Sequence, residues 1–187
     1  MCTPVGHTIA GYTVFISQYH SGSKNRWINI IVVLLFSNLP DVDLLFGYVV
    51  GNPNQYHHLW THSLAFVLGV GSLFGLGYWV FMRRGGLRVG CIVSCVVLSH
   101  IVLDFFTKDT SFPYGIQLFW PMSQKFFISP ITIFRDVSKA SSSGAFLGSL
   151  FCWHNLWTVL VELVLLGPPL VWILLRYRVR KDGVVKR

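Results

Sequence analysis

Four long apolar stretches, at residues 28–50, 64–82, 89–106 and 156–175, organise this chain. Each approaches or meets the roughly 20 residues that carry an α-helix across a bilayer. The pattern predicts an all-α polytopic membrane bundle of about four transmembrane helices. Pro40, Asp41 and Asp43 interrupt the first stretch, so that helix should be broken. Membranes tolerate such breaks where the freed backbone faces protein or a wet cavity. Residues 4–19 read as a short amphipathic helix ended by the polar run Ser21–Asn25. Residues 51–56 carry turn chemistry. The longest polar region lies within 107–155 and should cap the external end of the bundle with short helices. Gly167-Pro168-Pro169 should kink the last helix, since proline removes a hydrogen bond and collides with the preceding turn. The whole, 1–187, reads as one integral membrane domain. It comprises an N-terminal segment (1–26), a bundle (27–175) with its external loop (107–155), and a basic tail (176–187).

Composition supports that assignment. With 53% apolar and 12% charged residues, the chain is unlike a soluble domain. The net charge of +8 would suit nucleic acid, but its distribution points elsewhere. Eleven of the fifteen basic residues precede the first crossing, separate the second and third, or follow the fourth. That is the positive-inside pattern of a plasma (bacterial inner) membrane protein, with both termini cytoplasmic and no nucleic-acid partner. The tail should contact anionic headgroups. Cys2, Cys91, Cys95 and Cys152 form no CxxC pair, and the cysteines in the third run read as packing. The start of the chain lacks the features of a cleavable signal. The glycines at 69, 71, 75 and 77 follow no strand; spacing such as Gly71–Gly75 suits close helix packing.

The remaining polar residues carry the chemistry. Asp41 lies fourteen residues beyond Trp27, about 21 Å along a helix, in the outer half of the bilayer. His57 and His62 precede the second helix, and His100 and Asp104 end the third. In the four-pass topology all reach one depth near the outer face. His100 and Asp104 share a helix face at i, i+4, whereas His57 and His62 need a bend or helix start between them. In an extended stretch Asp41 and Asp43 would point the same way. Mixed imidazole and carboxylate donors suit zinc, with manganese or iron as alternatives. A lone helical histidine is more often a packed or interfacial residue than a ligand, and Asp41 alone could cap a helix. Several costly polar groups at one depth argue for a site instead. His154 has a weaker case, and His20 reads as a surface residue.

The motifs Leu39-Pro40-Asp41-Val42-Asp43, His57-His58-Leu59-Trp60-Thr61-His62-Ser63 and Ser99-His100 followed by Asp104 resemble the membrane-bound metal-dependent hydrolases. Thr107, Tyr114-Gly115, Phe119-Trp120-Pro121 and Gly6-His7 extend the match over roughly residues 5–135. That family is similar to zinc-dependent phospholipase C and P1-nuclease-like phosphoesterases, so the resemblance implies metal-dependent phosphoester hydrolysis. It adds His7 to the candidate ligands, although the topology puts His7 on the cytoplasmic side. Either the first segment re-enters the membrane or His7 lies outside the site. His58 replaces the family's arginine, which removes a phosphate clamp or adds a ligand.

The expected function is hydrolysis of a phosphoester or lipid-linked substrate by a metal-activated water. Asp41, Asp43, His57, His62, His100, Asp104 and His7 are the candidate metal ligands, with Asp43, Asp104 and His58 as candidate catalytic groups. Membrane lipids are the expected partners. Metal or proton transport is an alternative, as is a non-catalytic protein stabilised by its ion. Ser63 and Ser99 each adjoin a histidine, but helix neighbours do not face each other and no GxSxG elbow exists.

Overall fold

The computed structural model describes residues 1–18, 26–110 and 114–185. His20, the run 21–25 and the last two basic residues lie outside the described residues. Among the described residues seven α-helices follow one another: α1 Pro4–Gln18, α2 Arg26–Ser37, α3 Asp43–Val49, α4 Leu64–Met82, α5 Gly86–Phe105, α6 Ser143–Leu150 and α7 Trp153–Val185. Among the described residues there is no β-strand, only isolated bridges from Thr107 to Phe134 and from Ile116 to Phe127. The fold is the expected all-α membrane bundle. Helices α4, α5 and α7 are each long and apolar enough to cross a bilayer; Trp27–Ser37 and Pro40–Val49, bent by 61° from each other, are so only when taken together, as a broken span or a re-entrant loop.

Side-chain size sets the close contacts. Gly71 and Gly75 of α4 face Gly90 and Gly86 of α5, and a Cβ on either α4 glycine would come within 2.8 Å of a backbone carbonyl oxygen of α5. Only glycine allows this approach. Gly69 and Gly77 face open space and take no part.

The direction of α1 corrects the topology drawn from charge. His7 stacks on His100, Gly11 packs near Val96, and Phe15 clusters with Ile92. Each step of four residues down α1 is a step of four back along α5, so the two helices are antiparallel. Helix α2 returns beside α1, with Ser37 against Gly11 and Val33 against Phe15. Helix α7 runs parallel to α1, with Glu162 beside Gly6 and Leu166 near Ala10. Residues 1–3 therefore lie at the His100–Asp104 end, while the basic C-terminal stretch lies at the opposite end. Helix α1, at 15 residues, is shorter than the roughly 20 that a full crossing takes.

Helix α7 continues past residue 175 through Val185, with Pro168 and Pro169 inside it. The basic tail is thus helical for most of its length. The 107–155 region folds over the His100–Asp104 end: Leu118 O accepts from Leu64 N, Gln117 N donates to His58 O, and Ile116 is fully buried in the core with Val67, Val93, Val97 and Ile101.

Candidate metal centre

Local backbone structure aims the polar groups. After α2, a 3-10 turn over Pro40–Val42 runs straight into α3, whose first residue is Asp43. Asp41 and Asp43 therefore lie two residues apart on a helical turn, unlike the extended arrangement the sequence suggested, yet both keep an oxygen near His57 Nδ1, at 3.9 and 2.9 Å, so that the three could hold an ion together. A second 3-10 turn, Trp60–His62, supplies the bend between His57 and His62, and Ser63 caps α4 by accepting from Phe66 N at 3.1 Å. His58 sits at φ 67°, a left-handed conformation uncommon for a non-glycine residue.

Four atoms from three segments converge. His62 Nε2 and His100 Nε2 lie 3.2 Å apart. Asp41 Oδ1 is 3.6 Å from the first and 3.5 Å from the second. Asp104 Oδ2 is 3.4 Å and 3.2 Å from the same nitrogens. Bonds of about 2.0–2.1 Å to a tetrahedral zinc place ligand atoms roughly 3.3 Å apart, so these five separations suit a single small cation. Both Asp41 oxygens and Asp104 Oδ2 are buried with no hydrogen-bond partner. Bare buried carboxylate oxygens are costly, and a cation among them would satisfy both.

The surrounding groups prepare the imidazoles as ligands. His100 Nδ1 donates to Ser37 O at 2.8 Å, leaving the Nε2 lone pair facing the centre. His62 Nδ1 lies 3.2 Å from Asp43 Oδ2 and 3.0 Å from Thr61 Oγ1, which itself donates to Asp43 Oδ2 at 2.7 Å. Carboxylate and carbonyl partners of this kind fix ring tautomer and orientation at metal sites. Asp43 also lies 2.9 Å from His57 Nδ1 and accepts from His58 N. It stands behind the four converging atoms and aims the histidines, rather than joining the central set.

His57 and His58 complete the outer part of the cluster. His58 Nδ1 faces Asp109 Oδ2 at 3.4 Å, and its Nε2 is 3.9 Å from Asp104 Oδ2. Burial pushes the His57 imidazole well below its ordinary range, and burial likewise pushes His58 down to about 4. Both rings are neutral near pH 7 and keep a lone pair. His62 goes the other way: burial alone would lower it, but the carboxylates of Asp43, Asp104 and Asp41 outweigh burial and raise it. His7, left open by the sequence, is at the site. Its Nε2 is 3.4 Å from Asp104 Oδ1, which also accepts from Cys2 N at 2.8 Å.

Other candidates lie elsewhere. His154 Nε2 donates to Asp136 O and stays outside the cluster. Ser63 and Ser99 spend their hydroxyls on the carbonyls of Trp60 and Val96. Sequence reasoning missed Thr61 and Asp109 as supports, although Thr61 lies inside a recognised motif. It could not have found Ser37, which acts through its carbonyl.

Fold and cluster together define an integral inner-membrane helix bundle with a buried His/Asp group able to hold a metal ion. The chain belongs to the YdjM inner membrane protein family, whose family model matches residues 1–179. It is also 30% identical over 112 residues to inner membrane protein YbcI of Escherichia coli (strain K12), an alignment covering 58% of this chain and 62% of that protein. The chain thus spans about three fifths of the length of the curated relative it matches. No solved structure matches.

Proposed function

We propose that this chain is a membrane-embedded metal-dependent hydrolase of phosphoesters, including lipid-linked ones. The observation that carries the proposal is the convergence of Asp41, His62, His100 and Asp104 on one point, with three unpartnered carboxylate oxygens among them. Zinc suits this donor set, and manganese or iron share its preferences. A bound divalent cation would supply Lewis-acid chemistry and lower the pKa of water toward neutrality.

The chain's own residues would do the rest. His62 and His100 are held by Asp43 and the Ser37 carbonyl, so little reorganisation is needed on binding. Asp43 has both oxygens engaged and serves as an orienting group. Asp41 Oδ2 has no partner, and its side chain, 10% exposed, is the most open of the central four; it is the group placed to accept a proton from attacking water. Trp60 and Trp120, 6.4 Å apart, and the exposed Trp153 and Trp157 lie toward the same end. Aromatic side chains favour the headgroup level, which supports a phospholipid or lipid-linked substrate. The basic helix ends at Arg83–Arg88 and beyond Arg176 lie opposite, which supports a site on the outer face. Transport is less well supported, because the buried core below the cluster is Val67, Val93, Val96 and Val97.

The test uses the full chain purified in detergent and in lipid nanodiscs. Metal content by elemental analysis and turnover of a generic phosphodiester and of phospholipid should both fall on chelation and return with zinc or manganese. Asp41→Asn and His62→Ala should lose both. Full turnover in either variant would reject the assignment, and tightly held metal without turnover would favour a structural ion.

A further inference from the structure

We infer that the 107–155 cap is a membrane-inserted collar. Its exposed apolar side chains enter the leaflet at the His100–Asp104 end, and Lys108, Lys125 and Arg135 hold the phosphate groups of anionic phospholipids there. The cap carries large apolar side chains where a loop in water would carry polar ones. Met122 is 88% exposed, Ile131 70%, Phe151 91% and Trp153 76%.

Each of these side chains stands beside the end of a crossing helix. Leu118, shortly before Met122, accepts at its carbonyl from the N–H of Leu64, the first residue of α4. On either side of Ile131, Ser129 N donates to Phe105 O at the end of α5 and Ile133 N donates to Phe106 O. Phe151 shortly precedes α7, and Trp153 is its first residue. The backbone therefore holds the apolar side chains level with the ends of α4, α5 and α7, at the boundary of headgroups and acyl chains. Their distribution identifies the occupant. Helix α4 packs on α5 and α7 packs on α1, so the three ends do not share one flank. A docked protein would cover one patch, whereas a bilayer meets every flank of the bundle.

Charge agrees. The carboxylates of 107–155 are Asp109 and Asp136, and its cations are Lys108, Lys125, Arg135 and Lys139. Both carboxylates turn inward, with side chains 6% and 7% exposed. Asp109 faces His58 and accepts from Gly115 N, while Asp136 accepts from Thr110 N. Lys108, Lys125 and Arg135 are exposed and form no ion pair among the described residues. The surface of the cap thus presents apolar groups and positive charge without an exposed acid. That combination partitions to a phosphate-bearing interface.

The test uses the full chain in nanodiscs of equal phosphatidylglycerol and phosphatidylcholine. A photoreactive benzoylphenylalanine replaces Met122, Ile131 or Phe151 or, as a positive control, Leu73, which is exposed midway along α4. Mass spectrometry after illumination should find phospholipid adducts at every position. Adducts at Met122 should be enriched in phosphatidylglycerol roughly fivefold, the usual gain from one cation at a charged surface. Lys108→Gln, Lys125→Gln and Arg135→Gln together should return that ratio to the composition of the disc. Lipid adducts at Leu73 alone, or adducts from the cap to a second copy of the chain, overturn insertion. Equal proportions of the two lipids with all three cations present overturn the phosphate contacts. None of these readouts involves metal or turnover, so their failure leaves the hydrolase reading standing.

Discussion

His7 lies face to face with His100, ring centroids 3.6 Å apart and planes 14° from parallel. This contact ties the first helix to the fifth at the level of the metal-binding group, and it sets the sense in which α1 crosses the bundle. It also gives His7 two separable roles, one in packing and one in facing Asp104. His7→Ala should lose about 2–4 kcal/mol, in the range for emptying a buried site of comparable size, and should bind zinc more weakly. His7→Phe should restore much of the thermal midpoint by keeping the stack, while zinc affinity stays low because nothing faces Asp104 Oδ1. Equal recovery of stability and affinity in the phenylalanine variant would show that His7 only packs.

Thr61 supports the site without approaching the centre. Its hydroxyl donates to Asp43 Oδ2 at 2.7 Å and lies 3.0 Å from His62 Nδ1. Thr61→Val keeps shape and removes the donor. Zinc affinity should fall roughly 10–100-fold, the usual cost of losing an outer partner of a ligand, and Thr61→Ser should retain it. A competition titration with a chromogenic chelator measures both, and an unchanged valine variant would rule out the support role.

How much of this was legible in the sequence depends on which residue is asked. Asp41, His62, His100 and Asp104 could be read because each is a polar residue against an apolar run, and their depths agreed. The i, i+4 spacing of His100 and Asp104 survived because α5 is a regular helix. Asp43 does reach the cluster, but on a 3-10 turn entering a helix and not on the extended stretch that the spacing suggested. The direction of α1 was not legible, because it is set by packing against α2, α5 and α7 and not by the apolar pattern of its own 15 residues. Glu162 could have been noticed, as a lone carboxylate inside the apolar run 156–175.

Glu162 is fully buried and accepts from the backbone N–H of Thr3 at 2.7 Å and from the Thr3 hydroxyl. It anchors the start of α1, and through Cys2 the position of Asp104. Glu162→Ala strands those donors at about 1–3 kcal/mol each. Amide exchange at Cys2, Thr3 and Gly6 should accelerate, and Glu162→Gln should lie between that variant and wild type because it keeps one acceptor oxygen. Unchanged exchange in the alanine variant would show that the segment is held by other contacts.

The stability of the metal-free protein should depend on His58 in a defined direction. Burial lowers its folded-state pKa from 6.5 to about 4, and the unfolded chain returns it to its ordinary value. Between those two values the unfolded state binds more protons, so His58's contribution is fully present above pH 6.5 and is lost as pH falls toward 4. The size is up to about 3 kcal/mol. His57, also lowered by burial, adds to the same slope. His62, raised by its carboxylates against the effect of burial, contributes stability that is present at low pH and lost as pH climbs through its elevated value. Comparing wild type with His58→Gln isolates one ring from the others. With chelator present, the thermal midpoint of wild type should drop more steeply than that of His58→Gln between pH 7 and pH 4.5. Parallel profiles would mean that His58 is solvated in the folded protein, contrary to its place between Asp104 and Asp109.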